Sequence, residues 1–142
     1  MKVYLASSFD LMPLVETIAE YLEKQGHDIS VKWWSRDGFD LRDKKANHTS
    51  DSFYKDPVCE MIFWRDFQGV SDSDAFVIVA DNIPKKFNGA NVEYGIAVAL
   101  HKPCFSIGAL ENSAMYHPIK KCKTLSELVE SLRYIEATSG SE

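Results

Sequence analysis

Hydrophobic positions alternate along the chain between two spacings. Short apolar runs predict five strands, at 2–6, 28–34, 75–80, 102–107 and 119–122. Between them, apolar residues three to four positions apart predict helices, at 11–25, 56–71, 90–100 and from 124 onward. This alternation is typical of an α/β domain with a doubly wound, flavodoxin- or Rossmann-like parallel sheet of about five strands and helices on both faces. We expect one domain over 1–136 and a disordered tail at 137–142.

Local signals mark where several of these helices begin and end. Asp10 can cap the first helix and Gly26 stops it, while Pro57 suits the first turn of the second. The run Thr-Leu-Ser-Glu from Thr124 to Glu127 is a capping box for the last helix. The segment 35–51 is polar, which fits either a flexible lid or a merely solvated connection.

Doubly wound sheets bind ligands beyond the carboxyl ends of their strands. In this chain that rule brings four segments around one crevice, namely 7–8, 33–40, 81–93 and 108–117. The second segment contains three aromatic residues, Trp33, Trp34 and Phe39. They could stack on a base, or they could belong to the core or its rim.

The helix at 90–100 carries a carboxylate among apolar residues. Glu93 shares a stripe with Ala97 and Leu100, and burying an unpaired charge is expensive. The nearby helix N-terminus favours an ionised side chain, which is the form of a carboxylate that attacks an anomeric carbon. From the residues alone, Glu93 is either such a nucleophile or a glutamate that caps the helix or pairs with a cation.

A second carboxylate, Asp66, lies near the end of the preceding helix. Departure of a nucleobase needs a proton donor, and a second acid near the nucleophile can serve. The alternative is an exposed helix residue beside Arg65.

Charge and composition exclude several classes of function. The 142 residues carry a net charge of −5 without a basic stripe, which argues against binding to polymeric nucleic acid. There is no signal-peptide pattern and no apolar stretch of the roughly 18 residues that a membrane helix needs. Three distant cysteines and four histidines lack metal-ligand spacing, so we expect a cytoplasmic protein without metal.

Three sequence blocks resemble the nucleoside 2-deoxyribosyltransferase superfamily, which includes deoxyribosyltransferases and deoxynucleoside 5'-monophosphate N-glycosidases. The blocks read YLASSF at 4–9, RDFQGVSDSDAFVIVAD at 65–81 and NGANVEYGIAVALHKP at 88–103. The resemblance implies an enzyme that cleaves the N-glycosidic bond of 2'-deoxynucleosides or their 5'-monophosphates, by hydrolysis or base exchange. It implies a covalent deoxyribosyl-glutamate intermediate and no cofactor.

The resemblance also implies roles for individual residues. Glu93 matches the family's nucleophile, Asp66 the acid that assists the base, and Tyr4 a tyrosine that orients the nucleophile, although a buried strand aromatic is an equal alternative for Tyr4. Ser7 and Ser8 fall where the first loop meets the sugar or its phosphate.

Four further substrate contacts are implied by the same blocks and by the loop at 108–118. Asn88 and Gly89 belong to the glycine-containing loop before the glutamate. Asn112 to Met115 resembles a segment that a neighbouring subunit contributes, with Ser113 and Met115 as contacts and a homodimer or larger homo-oligomer as the assembly. The residue types alone would make Ser113 an ordinary loop serine.

One position departs from the family pattern. Phe87 stands where transferase members often have an aspartate, which bears on recognition of the sugar hydroxyls and hence on transfer of free nucleosides. Two alternatives keep the fold: a non-catalytic nucleotide-binding or signalling module in which Glu93 only holds ribose hydroxyls, and a TIR-like NAD glycohydrolase.

Overall fold

Five parallel strands form the centre of the computed structural model, which describes residues 1–35 and 50–139. They are β1 (Lys2–Ala6), β2 (Asp28–Ile29), β3 (Ala75–Val79), β4 (Cys104–Ile107) and β5 (Lys120–Cys122). Their order in the sheet is β2-β1-β3-β4-β5, and every neighbouring pair is parallel. The predicted α/β class, with a doubly wound parallel sheet of five strands, is confirmed.

Helices connect these strands. They are α1 (Met12–Lys24), α2 (Ser50–Tyr54), α3 (Pro57–Asp72), α4 (Gly89–Ala99) and α5 (Leu125–Ser139), with 3-10 turns at Phe9–Leu11 and Ala114–Tyr116. Their ends follow local signals: Gly26 takes a positive φ of 91° just after α1, and the Asp56 side chain accepts the Val58 N–H before Pro57. At α5, Thr124 accepts the Glu127 N–H, as the capping box predicts.

The helices cover both faces of the sheet. Because parallel crossovers are right-handed, α3 and α4 lie on the face opposite to α1. The aromatic rings of Tyr4 on β1 and Phe76 on β3 stack on the α3–α4 face with centroids 5.8 Å apart. On the other side α1 and α5 are joined by a hydrogen bond from Arg133 to Gln25. All five residues of β3 are buried, which explains its unbroken apolar sequence.

Two predicted boundaries are wrong, and one predicted aromatic pair belongs to the core. The second strand ends at Ile29 rather than at residue 34, because the chain turns and buries Trp33 and Trp34 in the core. The indole N–H of Trp33 donates to the Leu5 carbonyl over 2.7 Å, so this aromatic pair belongs to the core rather than to a stacking surface. The helix α5 continues to Ser139, inside the segment 137–142 that was expected to be a disordered tail.

The expected cap of the first helix at Asp10 is wrong, and the expectation for the segment 35–51 falls partly outside the described residues. Asp10 lies within the first 3-10 turn, and α1 is preceded by Leu11 without a side-chain cap. The polar segment 35–51 contributes its last two residues to α2, while 36–49, with Phe39, lie outside the described residues, as do 140–142.

Candidate active site

The sheet order puts a crevice at the carboxyl ends of β1 and β3. The chain leaves β1 toward β2 and leaves β3 toward β4, on opposite sides, and ligands of doubly wound proteins bind at such a point. The loops after β3 and β4 are tied together there, since Ala109 donates its N–H to the Asp81 carbonyl over 2.8 Å. Gly108 makes this approach possible: its φ is +92°, and a Cβ would lie 2.0 Å from the Ala80 oxygen.

Tyr4 and Glu93 meet beneath this crevice. Tyr4 is fully buried on β1, and its hydroxyl donates a short hydrogen bond to Oε2 of Glu93 on α4. Burial, together with the negative charges of Glu93 and Asp66, raises the pKa of Tyr4 well above its ordinary value. The phenol therefore stays protonated and serves as a fixed donor to the carboxylate.

Burial also dominates the acidity of Glu93. It raises the pKa of Glu93 to about 8; the Tyr4 hydrogen bond and the charge of Arg65 oppose this shift, and the charge of Asp66 adds to it. Burial thus outweighs the preference for the ionised form that the helix N-terminus was expected to give. Glu93 is the fifth residue of α4, and the influence of a helix end fades beyond the first turn.

Asp66 lies in the same cluster, paired with its sequence neighbour. Nε and Nη2 of Arg65 lie 3.2 and 3.1 Å from Oδ1 of Asp66. The side chains are 27% and 19% exposed, so Asp66 is a half-buried ion-pair partner rather than an exposed helix residue. The charges of Arg65 and Asp66 act on both Tyr4 and Glu93. Two carboxylates, one phenol and one guanidinium therefore interact in one cluster.

A glycine on α3 allows this helix to approach β1. A Cβ at Gly69 would lie 2.4 Å from Cγ2 of Val31 and 3.1 Å from the ring of Tyr4. Gly69 is one turn beyond Arg65 and Asp66, so its contact with Tyr4 fixes the distance of that pair from the strand.

The serines that follow β1 lie at the crevice but differ in their hydrogen bonding. The Ser7 hydroxyl donates to the Val79 carbonyl over 2.6 Å, which links the ends of β1 and β3. The hydroxyl oxygen of Ser8 is inaccessible to solvent and has no hydrogen-bond partner among the described residues. Asn88 and Gly89 are exposed at the start of α4. Phe87, in contrast, is only 2% exposed and belongs to the core.

The segment that contains Ser113 and Met115 lies on another side of α4. It borders a groove of about 440 Å³ that Asn91, Tyr94 and Gly95 also line. At 100° per residue, Asn91 and Gly95 project from α4 nearly opposite to Glu93. Within one chain, the structure therefore does not bring Ser113 to the Tyr4–Glu93 cluster.

Two tyrosines attach this segment to α4. The Tyr94 hydroxyl donates to the Met115 carbonyl over 2.6 Å, and the Tyr116 hydroxyl donates to Oδ1 of Asn91 over 2.7 Å. The side chain of Met115 is nevertheless 73% exposed. The hydroxyl of Ser113 accepts the Met115 N–H, which begins the 3-10 turn.

Two residues of the candidate site, Arg65 and Gly69, were not predicted from the sequence. An arginine next to a candidate acid, and a glycine inside a predicted helix, were the available signals. In the described ranges no group of three or more histidine, cysteine or acidic side chains could hold a metal ion. Nor is any helix there long and apolar enough to cross a membrane.

Comparisons with known proteins agree with this fold. The family model for nucleoside 2-deoxyribosyltransferase matches residues 3–127. No curated protein matches the chain. A CMP N-glycosidase from Clostridium botulinum has a similar structure, with a TM-score of 0.56 and 16% identity over 94% of this chain and 99% of the other. So has a 2-deoxyribosyltransferase from Bacillus psychrosaccharolyticus, with a TM-score of 0.60 and 17% identity over 91% and 90%. From the extent of the family match, the chain is a member of the nucleoside 2-deoxyribosyltransferase family.

Proposed function

We propose that the protein cleaves the N-glycosidic bond of 2'-deoxynucleosides or their 5'-monophosphates through a covalent intermediate on Glu93. The observation that carries the proposal is the hydrogen bond from Tyr4 to Glu93, which lies on the helix that follows β3. The chain that contains this pair is a member of the family. A carboxylate held by a phenol in a poorly hydrated site is suited to attack an electrophilic carbon.

In the first step, an oxygen of ionised Glu93 forms a bond to C1' of the sugar as the bond from C1' to the base nitrogen breaks. The bond electrons leave with the base, which takes up a proton from a water molecule. Tyr4 holds Oε2, which leaves Oε1 as the attacking atom. Asp66, which its ion pair with Arg65 keeps ionised, assists by accepting a hydrogen bond from the departing base.

In the second step, C1' is transferred from Glu93 to a new acceptor. Water gives the free sugar and makes the protein a hydrolase, whereas a second base gives a new nucleoside and makes it a transferase. The two outcomes share the first step and differ in how well the closed site excludes water.

We further propose that the site is completed by a second copy of the chain. Ser113 lies on the far side of α4 from Glu93 in its own chain, so its proposed contact with substrate requires a neighbour's site. The exposed Met115 side chain beside it is available for the same contact. Light scattering at micromolar concentration should give at least a dimer, and a monomer would contradict this part of the proposal.

The test of the activity is release of free base. The protein is incubated with each deoxynucleoside and each 5'-monophosphate, and the bases are separated by chromatography. We expect release from at least one substrate and a loss of at least a hundredfold in Glu93→Gln, equivalent to about 2.7 kcal/mol of barrier. Glu20→Gln, a change on the exposed surface of α1, is the matched control.

A 2'-fluoro substrate should slow breakdown of the intermediate and leave a sugar adduct on Glu93, detectable by mass spectrometry of the digested protein. Activity of Glu93→Gln within about tenfold of the unmodified protein would remove Glu93 from the role of nucleophile.

A further inference from the structure

Two carboxylates and one arginine share the partly buried cluster below the crevice. The members contributed by the elements packed against α4 are Tyr4 from β1 and the Arg65–Asp66 pair from α3. The strand β3 contributes only apolar residues, and the one titratable group on β4, Cys104, acts on Tyr94 rather than on Glu93. Arg65 is therefore the only positive charge among the described groups that act on Glu93.

Arg65 is bound to the cluster through Asp66. Two of its nitrogens converge on one oxygen of Asp66, and its side chain is only 27% exposed. An arginine cannot give up its proton at any ordinary pH, so its positive charge is permanent. Gly69, one turn further along α3, contacts the Tyr4 ring and so keeps the Arg65–Asp66 turn against β1.

We propose that Arg65 is a positioning residue that supplies the permanent counter-charge of the Asp66–Glu93 carboxylate pair. Without it, two carboxylates in a poorly hydrated site would repel each other and would share a proton. With it, Asp66 is held as an ion-pair partner and Glu93 can lose its proton near neutral pH. The catalytic consequence of this inference rests on the function proposed above, while the charge relation itself does not.

The charge relation is tested by titration without substrate. Carboxyl carbons of aspartate and glutamate are labelled with ¹³C, and their chemical shifts are followed against pH. The Glu93 and Asp66 signals are identified by their absence in Glu93→Gln and Asp66→Asn. In Arg65→Gln, the pair should take up its first proton about 1 pH unit higher than in the unmodified protein. Arg65→Lys, which keeps the charge, should restore most of the difference.

Arg133→Gln is the matched control, because Arg133 is an exposed arginine that bonds Gln25 on the other side of the sheet. Circular dichroism checks that each variant is folded. If Arg65→Gln does not fold, Arg65→Lys provides the test. An unchanged titration in Arg65→Gln overturns the proposal. So does an Arg65→Lys variant that titrates like Arg65→Gln, since the role would then depend on shape rather than on charge.

The kinetic consequence is tested separately. If base release occurs, the acidic limb of kcat/KM should move to higher pH in Arg65→Gln by the same amount as the titration and return in Arg65→Lys. A change in KM for 5'-monophosphates alone, with the titration unmoved, would make Arg65 a ligand of the phosphate and overturn the proposal. If no substrate releases its base, the function proposed above fails, and the titration still decides the role of Arg65.

Discussion

Replacing Gly69 by alanine tests whether the close approach of α3 to β1 is essential to the packing. In an unobstructed helix, this change stabilises a protein by about 0.5–1 kcal/mol, because alanine loses less backbone freedom on folding. At Gly69 the new methyl group would lie 2.4 Å from Cγ2 of Val31 and 3.1 Å from the Tyr4 ring. Val31 is half-buried and can move, but the Tyr4 ring is fully buried and cannot.

The balance therefore favours destabilisation. Forcing an extra methyl group into a packed interior costs about 1–3 kcal/mol, which exceeds the gain in helix propensity. We expect Gly69→Ala to lower the free energy of unfolding by about 1–2 kcal/mol. Because α3 must shift away from the strand, Asp66 and Arg65 should move with it, and base release should fall more than stability alone explains.

Gly95 provides the matched control on the neighbouring helix. A Cβ at Gly95 would have no atom within 4 Å outside its own helix and chain neighbours, so Gly95→Ala should gain the helix-propensity term in full. Urea unfolding of both variants, followed by circular dichroism, measures the difference. If Gly69→Ala is as stable as Gly95→Ala, the close contact between α3 and Tyr4 is not a constraint, and the reasoning is refuted.

Three further predictions concern the charged cluster and the partner segment. Burial raises the pKa of Glu93 in the folded protein from 4.5 to about 8. The protonated side chain therefore contributes its full stabilisation below pH 4.5, and this stabilisation is lost as the pH rises to about 8. The free energy of unfolding of Glu93→Gln should therefore rise by about 2 kcal/mol relative to that of the unmodified protein across this pH range. This is about half the value that the pKa shift converts to, because the side chain keeps some contact with water. A difference in the free energy of urea unfolding that does not vary with pH would contradict the prediction. Tyr4→Phe removes a donor that lowers the pKa of Glu93, so the acidic limb of kcat/KM should move up and base release at pH 7 should fall about tenfold; an unmoved limb refutes it. Ser113→Ala should erase much of any KM advantage of 5'-monophosphates over free nucleosides, and equal KM values in the unmodified protein would leave Ser113 without a phosphate role.

The sheet was predictable because its strands carry a simple signal. A run such as Ala75–Val79 is apolar at every position, which few structures other than a parallel strand covered on both faces accommodate. The second strand was predicted too long because β-branched and aromatic residues at 28–34 have the composition of a strand. Their side chains are instead used to close the core, and the hydrogen bond from Trp33 to Leu5 replaces strand pairing.

The candidate site was predictable only in part, for a physical reason. A carboxylate in an apolar helix is visible in one sequence, as Glu93 is, whereas its neighbours come from distant segments. Tyr4 lies 89 residues away and Asp66 lies on another helix, so their roles came from a family pattern rather than from spacing. The block at 65–81 begins with Arg65, but the resemblance implies no role for it, and only the packing of α3 against β1 reveals that its charge reaches Glu93.

The acidity of Glu93 sets two requirements of the site against each other. A carboxylate stripped of water is a stronger nucleophile, but the same burial keeps it protonated, with roughly a tenth ionised at pH 7 if its pKa is about 8. Tyr4 and Arg65 both favour the ionised form, one by a hydrogen bond and the other by its charge, while Asp66 opposes it. A substrate that brings a base close to Asp66 would draw that carboxylate into a hydrogen bond and weaken its repulsion of Glu93. On this argument, substrate binding itself promotes ionisation of the nucleophile, so the acidic limb of kcat should lie at lower pH than that of kcat/KM.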